Sequence, residues 1–197
     1  METDIKITAN LDPTRPDLCR LEVDRPVYEG GSAYFPTRDK AAGSPLASKL
    51  FDIQNIVAVR ITGSDVHVFQ NGWEEWRDLA PKAAAVIREH VKSGEPAISA
   101  EFAAQVLPDG ELKTKVEEIF EAYINPAIAS HGGRVRLVDV KDRRVFLEMG
   151  GGCQGCAMSM ATLRQGIESA LLDQLPYVAD IVDVTDHASG NNPYFSQ

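Results

Sequence analysis

The sequence is poor in cysteine, has no surplus of basic charge and contains no long apolar run. Only three cysteines occur in 197 residues. The count is odd, and two of the three stand too close together for an ordinary structural bridge, which argues against a disulfide-built scaffold and fits a reducing compartment. No lysine- or arginine-rich block offsets the formal net charge of −9. Residues 1–98 carry about −3 and residues 99–197 about −6, so neither half hides a basic domain. Nucleic acid and anionic membrane would both be repelled and are not expected as partners. Nothing approaches the roughly 18 consecutive apolar residues of a membrane span. The start, Met1-Glu2-Thr3-Asp4-Ile5, has neither the basic-then-apolar layout of a secretory signal nor the Arg/Ser-rich character of a transit peptide, so a cytoplasmic location is expected.

What is present divides into two halves. Residues 5–10 and 19–23 alternate as strands, separated by Asp12-Pro13-Thr14-Arg15-Pro16. Gly30-Gly31-Ser32 reads as a turn. Ser44-Pro45 reads as an N-cap followed by proline at the first helical position. Residues 56–61 and 65–70 form a predicted hairpin around Thr62-Gly63-Ser64. Apolar spacing at Leu79, Ala83, Val86, Ile87 and Val91 predicts a helix over 73–91, in which Pro81 is tolerable only in the first turn. Residues 1–92 are thus expected as a small α+β domain, followed by a linker over 93–110 with one short helical turn.

The second half, 111–186, shows a helical face at Leu112, Val116, Ile119, Phe120, Tyr123, Ile124 and Ala127, with Pro126 where that helix distorts or ends. A hairpin over 134–140 and 143–149 follows, then a helix carrying Met160, Leu163, Ile167, Ala170 and Leu171, and a last strand over 181–184. The expected fold class is α+β: two small domains, the second α-β-β-α-β with a three-stranded sheet and two helices on one face. Residues 187–197 read as a tail.

Between the hairpin and the last helix lies Gly150-Gly151-Gly152-Cys153-Gln154-Gly155-Cys156, the chemical centre of the sequence. Cysteines two residues apart can point both sulfurs at one soft metal. Glycines allow tight backbone conformations and close approach to a bulky ligand. Cys156 falls where the next helix should begin, and a helix N-terminus favours thiolate over thiol. Three chemistries use such a pair. A thiol–disulfide oxidoreductase would place it between a strand and a helix, as here. A zinc site requires four Cys or His ligands, and an iron–sulfur cluster normally four thiolates. One chain offers two, so either metal reading demands a second chain around a two-fold axis. A site half supplied by each subunit should release its cargo readily. Cys19 reads as a small core residue within a strand, His131 as a turn or capping residue, and Trp73 and Trp76 as packing residues, an exposed tryptophan being able to mark a partner surface. Glu117, Glu118 and Glu121 read as an exposed helix face.

Four blocks in order, Asn125-Pro126-Ala127-Ile128-Ala129-Ser130-His131-Gly132-Gly133, Val138-Asp139-Val140, Gly151-Gly152-Cys153-Gln154-Gly155-Cys156 and Thr162-Leu163-Arg164-Gln165-Gly166-Ile167-Glu168, resemble the C-terminal domain of NifU as found in Nfu-type iron–sulfur scaffold proteins. Ser44-Pro45-Leu46-Ala47, Leu50-Phe51-Asp52-Ile53 and Glu74-Glu75-Trp76 more loosely resemble the Nfu N-terminal domain. The resemblance implies that Cys153 and Cys156 are the metal ligands for a [4Fe–4S] cluster shared across a homodimer. Gly151, Gly152 and Gly155 would shape its cradle. It also implies apo iron–sulfur recipient proteins, an upstream cluster donor, and ligand exchange rather than enzymatic catalysis. Such proteins often carry proline directly after the second cysteine, where this chain has Ala157. A proline there would only pre-set the helix start.

Overall fold

The computed structural model describes residues 4–129, 132–151 and 157–185, with the backbone alone at 151 and 157–163. The chain separates into two compact units, Met1–Val106 and Leu107–Gln197.

The first unit is built on a five-stranded antiparallel sheet in the order β1-β2-β5-β4-β3. Its strands are β1 (Ile7–Asp12), β2 (Arg15–Val23), β3 (Tyr28–Phe35), β4 (Ile56–Gly63) and β5 (Asp65–Gln70). Its helices are α1 (Pro45–Leu50), α2 (Trp76–Ser93) and the single turn α3 (Ala100–Ala103), with a 3-10 turn at Asp39–Gly43. Strand alternation builds the core: Cys19, Val68 and Val59 stand in one cross-strand row and Leu21, Val66 and Ile61 in the next, all buried. The faces of α1 (Leu46, Ala47, Leu50) and α2 (Leu79, Ala83, Ile87) are buried as well. Ser44 caps α1 as its sequence suggests: its hydroxyl accepts the Ala47 N–H at 2.9 Å and donates to the Ala97 carbonyl at 2.6 Å.

Three local expectations are corrected. Gly30-Gly31-Ser32 is no turn between elements but lies inside β3, where the register shifts between Tyr28 and Ser32 and Gly31 takes φ 107°. Glycine serves as a bulge here. Helix α2 starts at Trp76 rather than Trp73, because the Asn71 side chain turns the chain by accepting the Trp73 N–H at 3.3 Å. Pro81 therefore falls in the second helical turn, not the first. The hydrogen bond it removes would end on Arg77, which is exposed like Pro81 itself, so water can take the freed carbonyl. The stretch 93–110 contains the one expected helical turn, α3, but Ala97, Ile98 and Phe102 are buried, and the Phe102 ring packs tilted against Phe35 with ring centroids 5.3 Å apart.

The second unit runs α4 (Asp109–Ile119), a π turn (Phe120–Ile124), α5 (Asn125–Ala129), β6 (Gly133–Lys141), β7 (Arg144–Gly151), α6 (Ala157–Gln174) and β8 (Asp180–Asp183). This is the expected α-β-β-α-β order, with the first helix in three pieces. Pro126 has no N–H and its ring crowds the preceding turn. The helix widens just before it, and the Asn125 N–H bonds the Phe120 carbonyl five residues back. The sheet order is β6-β7-β8, with β6 antiparallel and β8 parallel to the central β7. Along β7, Val145, Leu147 and Met149 are buried while Phe146, Glu148 and Gly150 are half-exposed, so only one face of the sheet is covered. The hairpin turns through Asp142 and Arg143, both left-handed at φ 51° and 59°. The Asp109 carboxylate at the start of α4 accepts both of their N–H groups, at 2.8 and 2.9 Å.

Candidate metal centre

The glycine–cysteine loop leaves the carboxyl end of β7 and is followed by α6. In a sheet with a parallel β7-α6-β8 crossover, that end of a strand is where ligand sites form. Cys153, Cys156, Gly152 and Gly155 lie outside the described residues, as do His131 and His187. The elements that deliver the loop are described on both sides. Gly151 closes β7 opposite Gly133, the first residue of β6. Just before it, Gly132 has φ 68° and donates its N–H to the Ala129 carbonyl at 2.9 Å, the left-handed stop of the preceding helix. The chain segments at 132–133 and 150–151 thus lie side by side at one end of the sheet. Helix α6 begins at Ala157, the residue directly after Cys156. Its 18 residues place a positive dipole end directly after Cys156.

Two side-chain clasps secure this end of the sheet, and the sequence reading assigned a role to neither. The Asn125 amide spans Val135: its oxygen accepts the Val135 N–H at 2.8 Å and its nitrogen donates to the Val135 carbonyl at 3.1 Å. On the far side of β7, the Met149 N–H donates to the Thr185 hydroxyl at 2.8 Å. That hydroxyl in turn donates to the Asp183 carboxylate, which also accepts the Thr185 N–H at 2.9 Å. The only sequence signals were asparagine before a proline and an Asp-x-Thr overlapping the end of a predicted strand, both types of residue common in loops.

The other described cysteine and histidines, Cys19, His67 and His90, belong to the first unit. Cys19 has no exposed surface, and burial pushes its thiol up to about 11, so it is protonated at neutral pH, as a core residue should be. Burial, with Arg60 nearby, holds His67 down at about 4. Burial first, and Lys49 next, also lowers His90. Among the described residues no group of three or more His, Cys, Asp or Glu side chains could hold a metal ion. The tryptophans divide: Trp76 is buried and donates its indole N–H to the Pro16 carbonyl at 2.8 Å, whereas Trp73 is 82% exposed. Glu117, Glu118 and Glu121 are exposed, as expected of the solvent face of that helix.

Comparison with known proteins follows the same division. The family described as scaffold protein Nfu/NifU N terminal matches residues 10–94, and the NifU-like domain matches residues 116–182. A NifU-like protein of Schizosaccharomyces pombe is 33% identical over 79% of this chain and 63% of its own length. NifU-like protein 4, mitochondrial, of Arabidopsis thaliana is 32% identical over 85% of this chain and 61% of its own. The Fe/S biogenesis protein NfuA of Ectopseudomonas mendocina is 43% identical over 44% of this chain and 45% of its own. The chain therefore spans less than two thirds of the length of each of these relatives. With one domain match inside each of its two units, in the order N-terminal then NifU-like, the chain belongs to the Nfu/NifU scaffold family.

Proposed function

We propose that this protein takes part in iron–sulfur cluster biogenesis as a scaffold and carrier. A [4Fe–4S] cluster is its cargo, held between two copies of the chain by Cys153 and Cys156 of each. Gly151, Gly152 and Gly155 let the backbone approach the cluster. One observation carries the reading: the Cys-x-x-Cys loop sits between the end of a central strand and the start of an 18-residue helix, in a chain whose third thiol is a buried, protonated core residue. Two thiolates are half of a cluster's usual set, so a homodimer completes it. The cluster would be handed over by ligand exchange, each iron's bond to a thiolate of this chain giving way to a bond to a thiolate of an apo recipient protein, after loading from an upstream donor. The role is that of a carrier rather than an enzyme. Nucleic acid and membrane are not proposed as partners, and the proposed compartment is the reducing cytoplasm, where such thiols persist.

Anaerobic reconstitution with iron and sulfide tests this. The expected product is a brown dimer with about four irons per pair of chains. Cys153→Ala or Cys156→Ala should abolish it, whereas Cys19→Ala should not. Bound zinc without visible absorption, or turnover of insulin disulfides by a metal-free monomer, would overturn the carrier reading in favour of an interaction module or a thiol–disulfide oxidoreductase.

A further inference from the structure

The two clasps described above lie at one level of the sheet. Val135 and Met149 are cross-strand partners, and each turns its backbone groups away from the other. In an antiparallel ladder this is the non-hydrogen-bonded type of pair. Val135 faces Asn125 on one side, and Met149 faces Thr185 on the other. A single transverse line therefore runs Asn125 side chain, Val135, Met149, Thr185 side chain, Asp183 side chain. It crosses the last such pair before Gly133 and Gly151, where the strands give way to the glycine–cysteine loop. Val135 and Met149 are each 1% exposed, so water is a poor substitute for either clasp.

β8 itself stops at Asp183, and the Val184 N–H still reaches the Leu147 carbonyl at 2.9 Å. Thr185 then continues the bonding with its side chain instead of its backbone, adding one rung to β7 beyond the strand's end. The Asp183 carboxylate accepts both the Thr185 N–H and its O–H, which fixes the hydroxyl's proton away from Met149 and its lone pairs toward it. On the opposite edge, the Asn125 amide presents the donor and acceptor that a neighbouring strand would have offered Val135.

We infer that Thr185 and Asp183, with Asn125 opposite, are positioning residues for cluster retention: they fix the exit of β7 and thereby the placement of the loop that bears Cys153 and Cys156. This rests on the carrier reading above. None of the three touches the cargo. They act through the strand.

The test compares wild type, Thr185→Val, which keeps the shape and deletes the hydroxyl, and Thr185→Ser, which restores the hydroxyl alone. All three are reconstituted anaerobically. Iron per chain, visible circular dichroism, the rate of bleaching by bathophenanthroline, and melting of the metal-free chain are measured for each. The expected result is equal loading but roughly five-fold faster bleaching and an altered visible dichroism in Thr185→Val, the size set by losing one buried hydrogen bond, with both restored in Thr185→Ser. Bleaching at the wild-type rate in Thr185→Val, or equally fast in Thr185→Ser, overturns the inference, and so does a lowered melting temperature as the sole change. Should Thr185→Val not fold, Asp183→Asn takes its place: faster bleaching supports the role and an unchanged rate overturns it. A wild-type chain that takes up no iron overturns the carrier reading and this inference together, whereas a loaded wild type with an indifferent Thr185→Val overturns this inference alone.

Discussion

The division of labour among the three thiols can be tested without any metal. Cys19 lies in β2 between Leu11 and Val68, with no exposed surface. Burial raises its pKa from 9.0 to about 11, against a smaller opposing effect of the Asn10 backbone. Two pKa units leave about a hundred-fold less thiolate than an unperturbed thiol has at the same pH, and the thiolate is the species that attacks a disulfide reagent. Burial slows the reaction further. The metal-free chain, reduced and desalted anaerobically, should therefore release two equivalents of thionitrobenzoate quickly from Ellman's reagent at pH 8. The third should follow at least about a hundred-fold more slowly, or only on unfolding in guanidinium. Cys19→Ala should keep both fast equivalents and lose only the slow one. Three fast equivalents in the native chain would refute the reasoning, as would loss of a fast one in Cys19→Ala. Either result would make Cys19 a reactive thiol, and its assignment as a protonated core residue would no longer hold.

Two further outcomes are expected. Folding holds His67 at about 4 against 6.5 for the free imidazole, so between those values the unfolded chain binds more protons. Stability should fall as pH drops from 6.5 towards 4, and His67→Gln should flatten the upper part of that range in a urea-denaturation pH profile, with His90 and the carboxyls of Glu74, Glu95 and Glu101, all lowered too, contributing to the slope that remains. Ser44→Ala deletes the α1 cap and leaves the buried Ala97 carbonyl without its 2.6 Å donor. A loss of about 2–3 kcal/mol in chemical unfolding of the first unit is expected, and a change below about 0.5 kcal/mol would show that neither bond matters.

Where a local rule decides, the sequence was legible. The Ser44-Pro45 start of α1, the β4–β5 hairpin, the α-β-β-α-β order of the second unit and the core position of Cys19 all follow from spacing or capping chemistry. What escaped depends on groups far apart in the chain. Asp142 and Arg143 form a left-handed turn without glycine because Asp109, more than thirty residues earlier, holds both N–H groups. Gly30 and Gly31 looked like a turn because a bulge and a turn ask the same freedom of the backbone, and β4 alone distinguishes them. Phe102 lacked any period around it, yet finds Phe35 across the first unit. At the candidate centre, the cysteine spacing pointed to paired thiols and left redox, zinc and iron–sulfur uses open, while the clasps of Asn125 and Thr185 are side chains standing in for strand backbone, which no local pattern announces.

Among the described residues, β7 is the one strand of the second sheet with a neighbouring strand on both flanks. Edge strands fray first, and an inner strand opens last. Placing the thiol-bearing segment at the tip of that inner strand separates two demands that usually compete. In the proposed carrier role, a donor or a recipient would pull on what lies beyond Gly151 while the strand behind it stays in register. A carrier so built would change its load without melting the platform on which the load is carried.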